Sequence, residues 1–347
     1  MKRTTLFLAL VAALCFGAPA LAFHDGGVAD CAGCHTMHGS GADNGTGNPY
    51  LLTESTPTDT CIACHGTRLG NSFDTDPLAP GNQYGGGNFV FLLEDNINDG
   101  HAGASNPILG HAAGHSVISD DRGTAVDPVN ATAPGGTYPA SNMHCSSCHD
   151  PHGKTGSFRL LYGTWNGLDA GDPNFWSGVD APDADGISFF GAGENNGNHT
   201  AYRDGYSEWC GACHGDYHNT SYPTVLKHPS GAAIGRDVAF NYNQYNGTGT
   251  YTNGPDMYLA EVPFEDAANT TSYTGLASAT SKVMCASCHR AHASSAQYAG
   301  RWDFSVTFLV EDGDESGSYE IPNPYAATAG ASQRSLCNKC HAQDPRL

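Results

Sequence analysis

Positive charge is what this chain has least of. Lysine and arginine number 15 against 35 aspartates and glutamates, a formal net charge of −20. That balance excludes nucleic acid and anionic membrane as default partners. Long apolar runs are scarce too: beyond Leu6–Phe16, no stretch approaches the roughly 20 residues a membrane helix needs. Charged side chains make up only 14% of the sequence and methionines number five. Glycine, at 44 residues, is abundant instead. So polar and Gly-rich a chain buries too little side-chain surface for a large conventional core. Spare cysteine is also missing: twelve of the thirteen fall into one repeated motif, and the other is Cys15.

The N-terminus reads as a leader. Lys2 and Arg3 precede the apolar run, and Ala20-Leu21-Ala22 is an Ala-x-Ala cleavage site, so residues 1–22 are expected to be a secretory signal peptide. Cys15 does not make a lipoprotein site, because Leu14 is too large for the position before such a cysteine. Residues 23–347 are then expected to form one exported domain.

The repeated motif is Cys-x-x-Cys-His, the attachment signature of a c-type haem. It occurs six times, with paired thiols at Cys31/Cys34, Cys61/Cys64, Cys145/Cys148, Cys210/Cys213, Cys285/Cys288 and Cys337/Cys340. Two thiols at this spacing can each form a thioether to the porphyrin, and the next residue is held under the iron as proximal ligand. The proximal residues are His35, His65, His149, His214, His289 and His341. Disulfides or zinc sites would also use paired cysteines, but neither explains a histidine after every second one. Six covalently attached haems follow, their apolar faces standing in for the missing core.

Six irons need six further axial ligands, and eleven histidines remain. Bis-histidine coordination is therefore expected, with lower potential than His/Met. His38, His152 and His292 each lie three residues beyond a proximal histidine, point away from their own iron, and can reach a neighbouring haem. His144, directly before a motif, can do likewise. His24, His115, His228 and His218 complete the set of distal candidates, whereas His101, His111 and His199 read as surface or propionate-bonding residues. No motif departs from Cys-x-x-Cys-His, so nothing reserves an open iron for a substrate. Haems packed this densely, with edges about 3.5–4.0 Å apart, would form a continuous electron-conducting series.

Secondary structure is expected to be sparse: short helical turns at the motifs, few strands and mostly coil, the fold of a multihaem c-type cytochrome organised around a stacked haem chain. Asn88–Leu93 and Phe304–Val310 read as short strands, Ala133–Pro139 as turns, and Phe240–Tyr258 as an exposed loop. Asp183-Ala-Asp185-Gly186 and Glu311–Glu315 lack the outer ligands of a calcium loop. Solvated acidic loops are expected there, without calcium.

Longer stretches around the motifs carry a resemblance. Phe23–His38, Ala133–Ala140 with His144–Lys154, Ser207–His214, His218-Asn to His228-Pro, Cys288–Ser294 and Leu336–Ala342 resemble the OmcS-like family, the extracellular hexahaem cytochromes of metal-reducing bacteria. The resemblance runs from Phe23 to the C-terminus and touches every motif in order, though several gaps are shorter here, notably Lys154–Tyr206. It implies a polymer, a cytochrome nanowire with bis-histidine haems along its length, in which His38 of one subunit ligates the haem of Cys285, Cys288 and His289 in the next. It also implies electron transfer, without catalysis, to metal oxides or other acceptors, with other multihaem cytochromes as partners. A monomeric periplasmic shuttle and a multihaem reductase are the rival readings.

Overall fold

The computed structural model describes residues 31–36, 50–66, 72–74, 85–95, 97–98, 107–152, 157–163, 179–187, 194, 197–218, 228–244, 258–272, 276–304 and 336–341. His24, His38, His101, Glu311–Glu315 and residues 305–310 of the expected strand lie outside them. Regular structure is thin. Helix α1 spans Pro57–His65, α2 Tyr206–Gly211, α3 Gly215–His218 and α4 Gly235–Tyr242. Strands β1 (Ile97–Asn98) and β2 (Pro107–Ile108) pair antiparallel, as do β3 (Asp183–Asp185) and β4 (Ala201–Asp204). No helix among the described residues is long and apolar enough to cross a membrane.

Every motif sits on a helical turn. Motif two ends α1, and motif four begins at the end of α2. Motifs one, three and five start 3-10 turns at Cys31–Gly33, Cys145–Ser147 and Cys285–Ser287, and motif six begins in the turn Leu336–Lys339. Helix α1 begins sharply because Thr56 caps it, its side chain accepting from the Asp59 amide at 3.0 Å, with Pro57 in the first turn.

Asp59 is a second anchor there, fully buried. Its carboxylate accepts from Ser55, Thr56 and Ser119 hydroxyls and from the Asp120 and Asp121 amides. Burial opposes ionisation, but these donors outweigh it and hold the carboxyl below its ordinary pKa. The loop 119–124 is thereby tied to the helix that carries motif two.

Among the described residues, apolar side chains collect in four small clusters, each against a motif, instead of one core. Tyr242, Tyr258, Phe264, Trp302 and Leu336 pack on Cys288 and Cys340. Phe73, Phe89, Phe91 and Ile62 pack beside Met143. Tyr202, Tyr206 and Met284 meet Cys210, and Leu161, Tyr162 and Trp209 meet Cys148 and Cys213.

Three local expectations change. Asn88–Leu93 is no strand: Phe89–Leu93 forms a 3-10 helix, because Asn88 caps it by accepting from the Val90 amide at 2.9 Å and Phe89, Val90 and Phe91 are buried. The ends of the supposed loop Phe240–Tyr258 belong to α4 and to the core, with Tyr242 2% and Tyr258 4% exposed. Asp183 and Asp185 lie in β3, where both pair with Arg203 of β4. Their charges meet a guanidinium across a strand pair, so this stretch is not a solvated loop.

Candidate functional site: six histidine–cysteine motifs

In five motifs the proximal histidine amide closes a helical turn onto the carbonyl of the first cysteine. The distances are 2.9 Å for His35, 3.1 Å for His149, and 3.0 Å for His214, His289 and His341. His65 occupies the same place as the last residue of α1. Among the described residues no disulfide joins the motif cysteines.

Four proximal imidazoles have Nδ1 fixed on a backbone carbonyl. His35 bonds Tyr50 O at 2.9 Å, His149 Arg159 O at 2.8 Å, His214 Pro134 O at 2.8 Å and His289 Tyr298 O at 2.9 Å. A carbonyl only accepts, so Nδ1 carries the proton and Nε2 keeps its lone pair for a metal. His115 is fixed the same way, Nδ1 to Ala291 O at 2.7 Å. Burial, with His214 nearby, pushes its pKa down to about 4, so its imidazole is neutral.

The backbone that delivers these carbonyls is unusual. Among the described residues, all five non-glycine residues with left-handed φ, Leu51, Arg159, Leu160, Tyr298 and Ala299, lie at the accepting residue or directly after it. For non-glycine residues that conformation costs roughly 1–2 kcal/mol each. Motif four solves the same problem with glycine: Gly135, φ 70°, follows Pro134. The next residue, Gly136, lies so close to the Cys213 carbonyl that a Cβ would sit 1.7 Å from it. The turn Ala133–Pro139, which in sequence leads into motif three, therefore supports motif four. In the sequence these turns are marked only by the repeated pattern Tyr50-Leu51-Leu52, Arg159-Leu160-Leu161, Tyr298-Ala299-Gly300.

Thiols of successive motifs are neighbours in chain order. Cys34 lies near Cys61 and Cys64, Cys61 is in hydrogen-bonding contact with Cys145, and Cys148 is near Cys213. Cys210 is in contact with Cys285, and Cys288 is near Cys337 and Cys340. The motifs thus form one unbroken file, first to sixth.

Imidazoles from distant segments face each other across this file. Ring centroids of His35 and His152 are 6.0 Å apart, of His115 and His214 6.0 Å, of His149 and His292 6.3 Å, and of His228 and His341 6.3 Å. An imidazole nitrogen binds a first-row metal such as zinc at about 2.0–2.1 Å. It lies about 1.1 Å from the centre of a ring with bonds near 1.33 Å. Two imidazoles on opposite sides of one ion should then have centroids about 6.3 Å apart. All four spacings fit a bis-imidazole iron, and the paired thiols beside each proximal histidine fit covalent haem.

The other histidines behave differently. Among the described residues no imidazole stands opposite His289, whose ring meets the edge of Phe304 at 5.4 Å. His144 places Nδ1 3.2 Å from Thr58 Oγ1 and faces no proximal ring among the described residues. His218 ends α3 close to Gly211 and Gly231, and His111 lies beside Asp127. His199, expected at the surface, is fully buried with its ring 4.4 Å from Tyr258. Its amide donates to Thr271 O at 2.9 Å, a long-range tie that sequence spacing does not reveal. Lys339, between the cysteines of motif six, is also fully buried. Its ammonium donates to Tyr242 O at 2.7 Å and lies 4.0 Å from that ring's centroid. Burial pushes its pKa down to about 7.

No family model matches the chain. The C-type cytochrome OmcS of Geobacter sulfurreducens is 32% identical over an alignment of 434 positions, gaps included, covering 99% of this chain and 99% of that protein. Among solved structures, the cryo-EM structure of OmcS nanowires from Geobacter sulfurreducens is similar at a TM-score of 0.72 and 30% identity, over 93% of this chain and 100% of that one. The Outer Membrane Cytochrome S filament from the same organism matches at 0.74, with the same identity and coverage.

Proposed function

This chain belongs to the OmcS family of c-type cytochromes, and on that premise we propose that it binds six haems between histidine pairs and polymerises into an extracellular filament that conducts electrons. The observation that carries this reading is the unbroken file of motifs flanked by four iron-sized imidazole gaps. Bound haem supplies reversible one-electron exchange at its iron. The chain's own residues would do the rest: cysteines would fix each macrocycle, and paired imidazoles would hold its iron from both sides. With both positions closed no site is left for a substrate, which supports an electron carrier and argues against a reductase.

The pairing follows the imidazole gaps: His35 with His152, His149 with His292, His214 with His115, and His341 with His228. A pattern runs through the odd motifs. His152, three residues beyond motif three, serves motif one; His292, three residues beyond motif five, serves motif three. Continuing the series, the histidine three residues beyond motif one serves motif five, whose His289 faces no other imidazole among the described residues. That residue is His38, and it comes from the next copy, so the series closes only in a polymer. His24 then completes the site of His65, since motifs one and two are adjacent. Metal oxides, other cells or other multihaem cytochromes would receive the electrons, after export of the mature chain through the periplasm.

The test is to purify the exported protein, quantify covalent haem, record its spin state and image it by negative stain. Six low-spin haems per chain in fibres are expected. Monomers alone at high concentration would reject the polymer, and zinc or disulfides in place of haem would reject the whole reading.

A further inference from the structure

We propose that the three left-handed turns at Tyr50-Leu51, Arg159-Leu160 and Tyr298-Ala299 are positioning devices. Each locks a proximal imidazole and lowers the potential of its haem. The inference rests on the haem reading above and goes beyond it.

The three turns are built alike. In each, the carbonyl of the first residue accepts from the proximal Nδ1, at 2.8–2.9 Å. The carbonyl of the second accepts from the amide just after the proximal histidine: Thr36 to Leu51 at 2.7 Å, Asp150 to Leu160 at 2.8 Å, Arg290 to Ala299 at 2.7 Å. Two residues on, an amide returns to the carbonyl of the motif's second cysteine: Thr53 to Cys34 at 2.9 Å, Tyr162 to Cys148 at 3.1 Å, Arg301 to Cys288 at 2.8 Å. Three hydrogen bonds clamp each strained turn to its motif.

The residues held left-handed are leucine, arginine, tyrosine and alanine, which disfavour that conformation. The clamp maintains the strain, and the strain aims the carbonyl. A left-handed residue directly after the acceptor is common to all four proximal Nδ1 bonds, glycine included. Strain maintained at a metal site is a positioning function. Its chemical effect is known in kind: a carbonyl drawing on Nδ1–H makes Nε2 a stronger donor, which favours the oxidised metal, and fixes the ring's rotation.

The test uses the complete haem-loaded protein with Leu160 changed two ways. Leu160→Pro forbids left-handed φ and removes an amide bonded to Ser157 O at 3.2 Å; Leu160→Gly accepts the conformation without strain. In the proline variant one haem of six should become easier to reduce by tenfold or more, about 59 mV. Its low-spin EPR signal should change without becoming high-spin. The glycine variant should keep the wild-type potentials and signals. Six unmoved potentials in the proline variant, or equal shifts in both, would overturn the inference. Should the proline variant fail to mature, the Nδ1 proton of His149 in the unmodified protein decides: slow exchange with deuterium supports the lock, and exchange at the rate of exposed imidazole overturns it. Absence of covalent haem in the wild type would instead defeat the reading beneath it.

Discussion

Removing His292 tests the ligand pairing most directly. Its ring centroid stands 6.3 Å from that of His149 and 4.5 Å from that of Phe89. Its backbone ties are main-chain and survive substitution: its amide donates to Gly86 O at 2.7 Å, and its carbonyl accepts from the His115 amide at 2.9 Å. His292→Ala therefore loses one aromatic contact, worth about 0.5–1.5 kcal/mol, too little to unfold a domain held at many covalent points. On the proposed pairing, what it loses chemically is an axial ligand. The haem over His149 should become five-coordinate, so that about one sixth of the iron turns high-spin in the oxidised protein, read by EPR at low temperature. Added imidazole should occupy the gap and restore the low-spin signal. His292→Met keeps a ligand of another kind and should raise one potential of the six, since His/Met haems lie above bis-histidine ones. A His292→Ala protein whose six haems all stay low-spin without imidazole would refute the pairing and the 6.3 Å argument with it.

Four further outcomes are expected. His38→Ala should yield monomers by size exclusion with one high-spin haem; fibres of normal length would contradict the inter-subunit role. Asp59→Ala strips five donors of their buried acceptor, at about 1–3 kcal/mol for each left unsatisfied, and should lower the melting temperature well below that of an exposed control such as Asp237→Ala. Glu265, 1% exposed, has its carboxyl pushed up to about 7 by burial, partly offset by the Tyr206 amide at 2.5 Å. Between its ordinary pKa of 4.5 and about 7, the folded protein keeps a proton that the unfolded chain releases. Stability should therefore fall as pH rises through that window, by up to about 3 kcal/mol. Glu265→Gln should flatten that slope in denaturant titrations, and an unchanged slope would exclude this carboxyl as its source. Lys339→Met removes a buried ammonium beside Cys340 and should lower one midpoint potential in a redox titration run below pH 7.

The motifs, the scarcity of regular structure and the need for histidine pairs were legible because each follows from local chemistry: thiols two residues apart, glycine-rich connections, and a count of imidazoles against irons. The spacing that marks His152 and His292 could be seen, but not that they meet His35 and His149, because nothing local fixes partners more than a hundred residues apart. Asn88–Leu93 misled because a short apolar run fits a strand and a buried turn equally well, and the Asn88 cap decided it. The left-handed turns were invisible for a deeper reason. Propensity argues against them at leucine and tyrosine, and only the hydrogen bonds from the motif impose them. His199 and Lys339 are buried by tertiary packing that polar residue types do not advertise.

The backward lending of histidines proposed along the odd motifs bears on how such a protein is made. A chain is synthesised from its N-terminus, so on the proposed pairing the first iron would wait for His152 and the third for His292, while the fourth would find His115 already present. A product cut short after Arg290 would display five attached cofactors yet leave two of them half-clasped, chemically reactive and recognisable as unfinished. Completion arrives late and in a fixed sequence. Its last step, at the fifth iron, would be left to the arrival of another molecule.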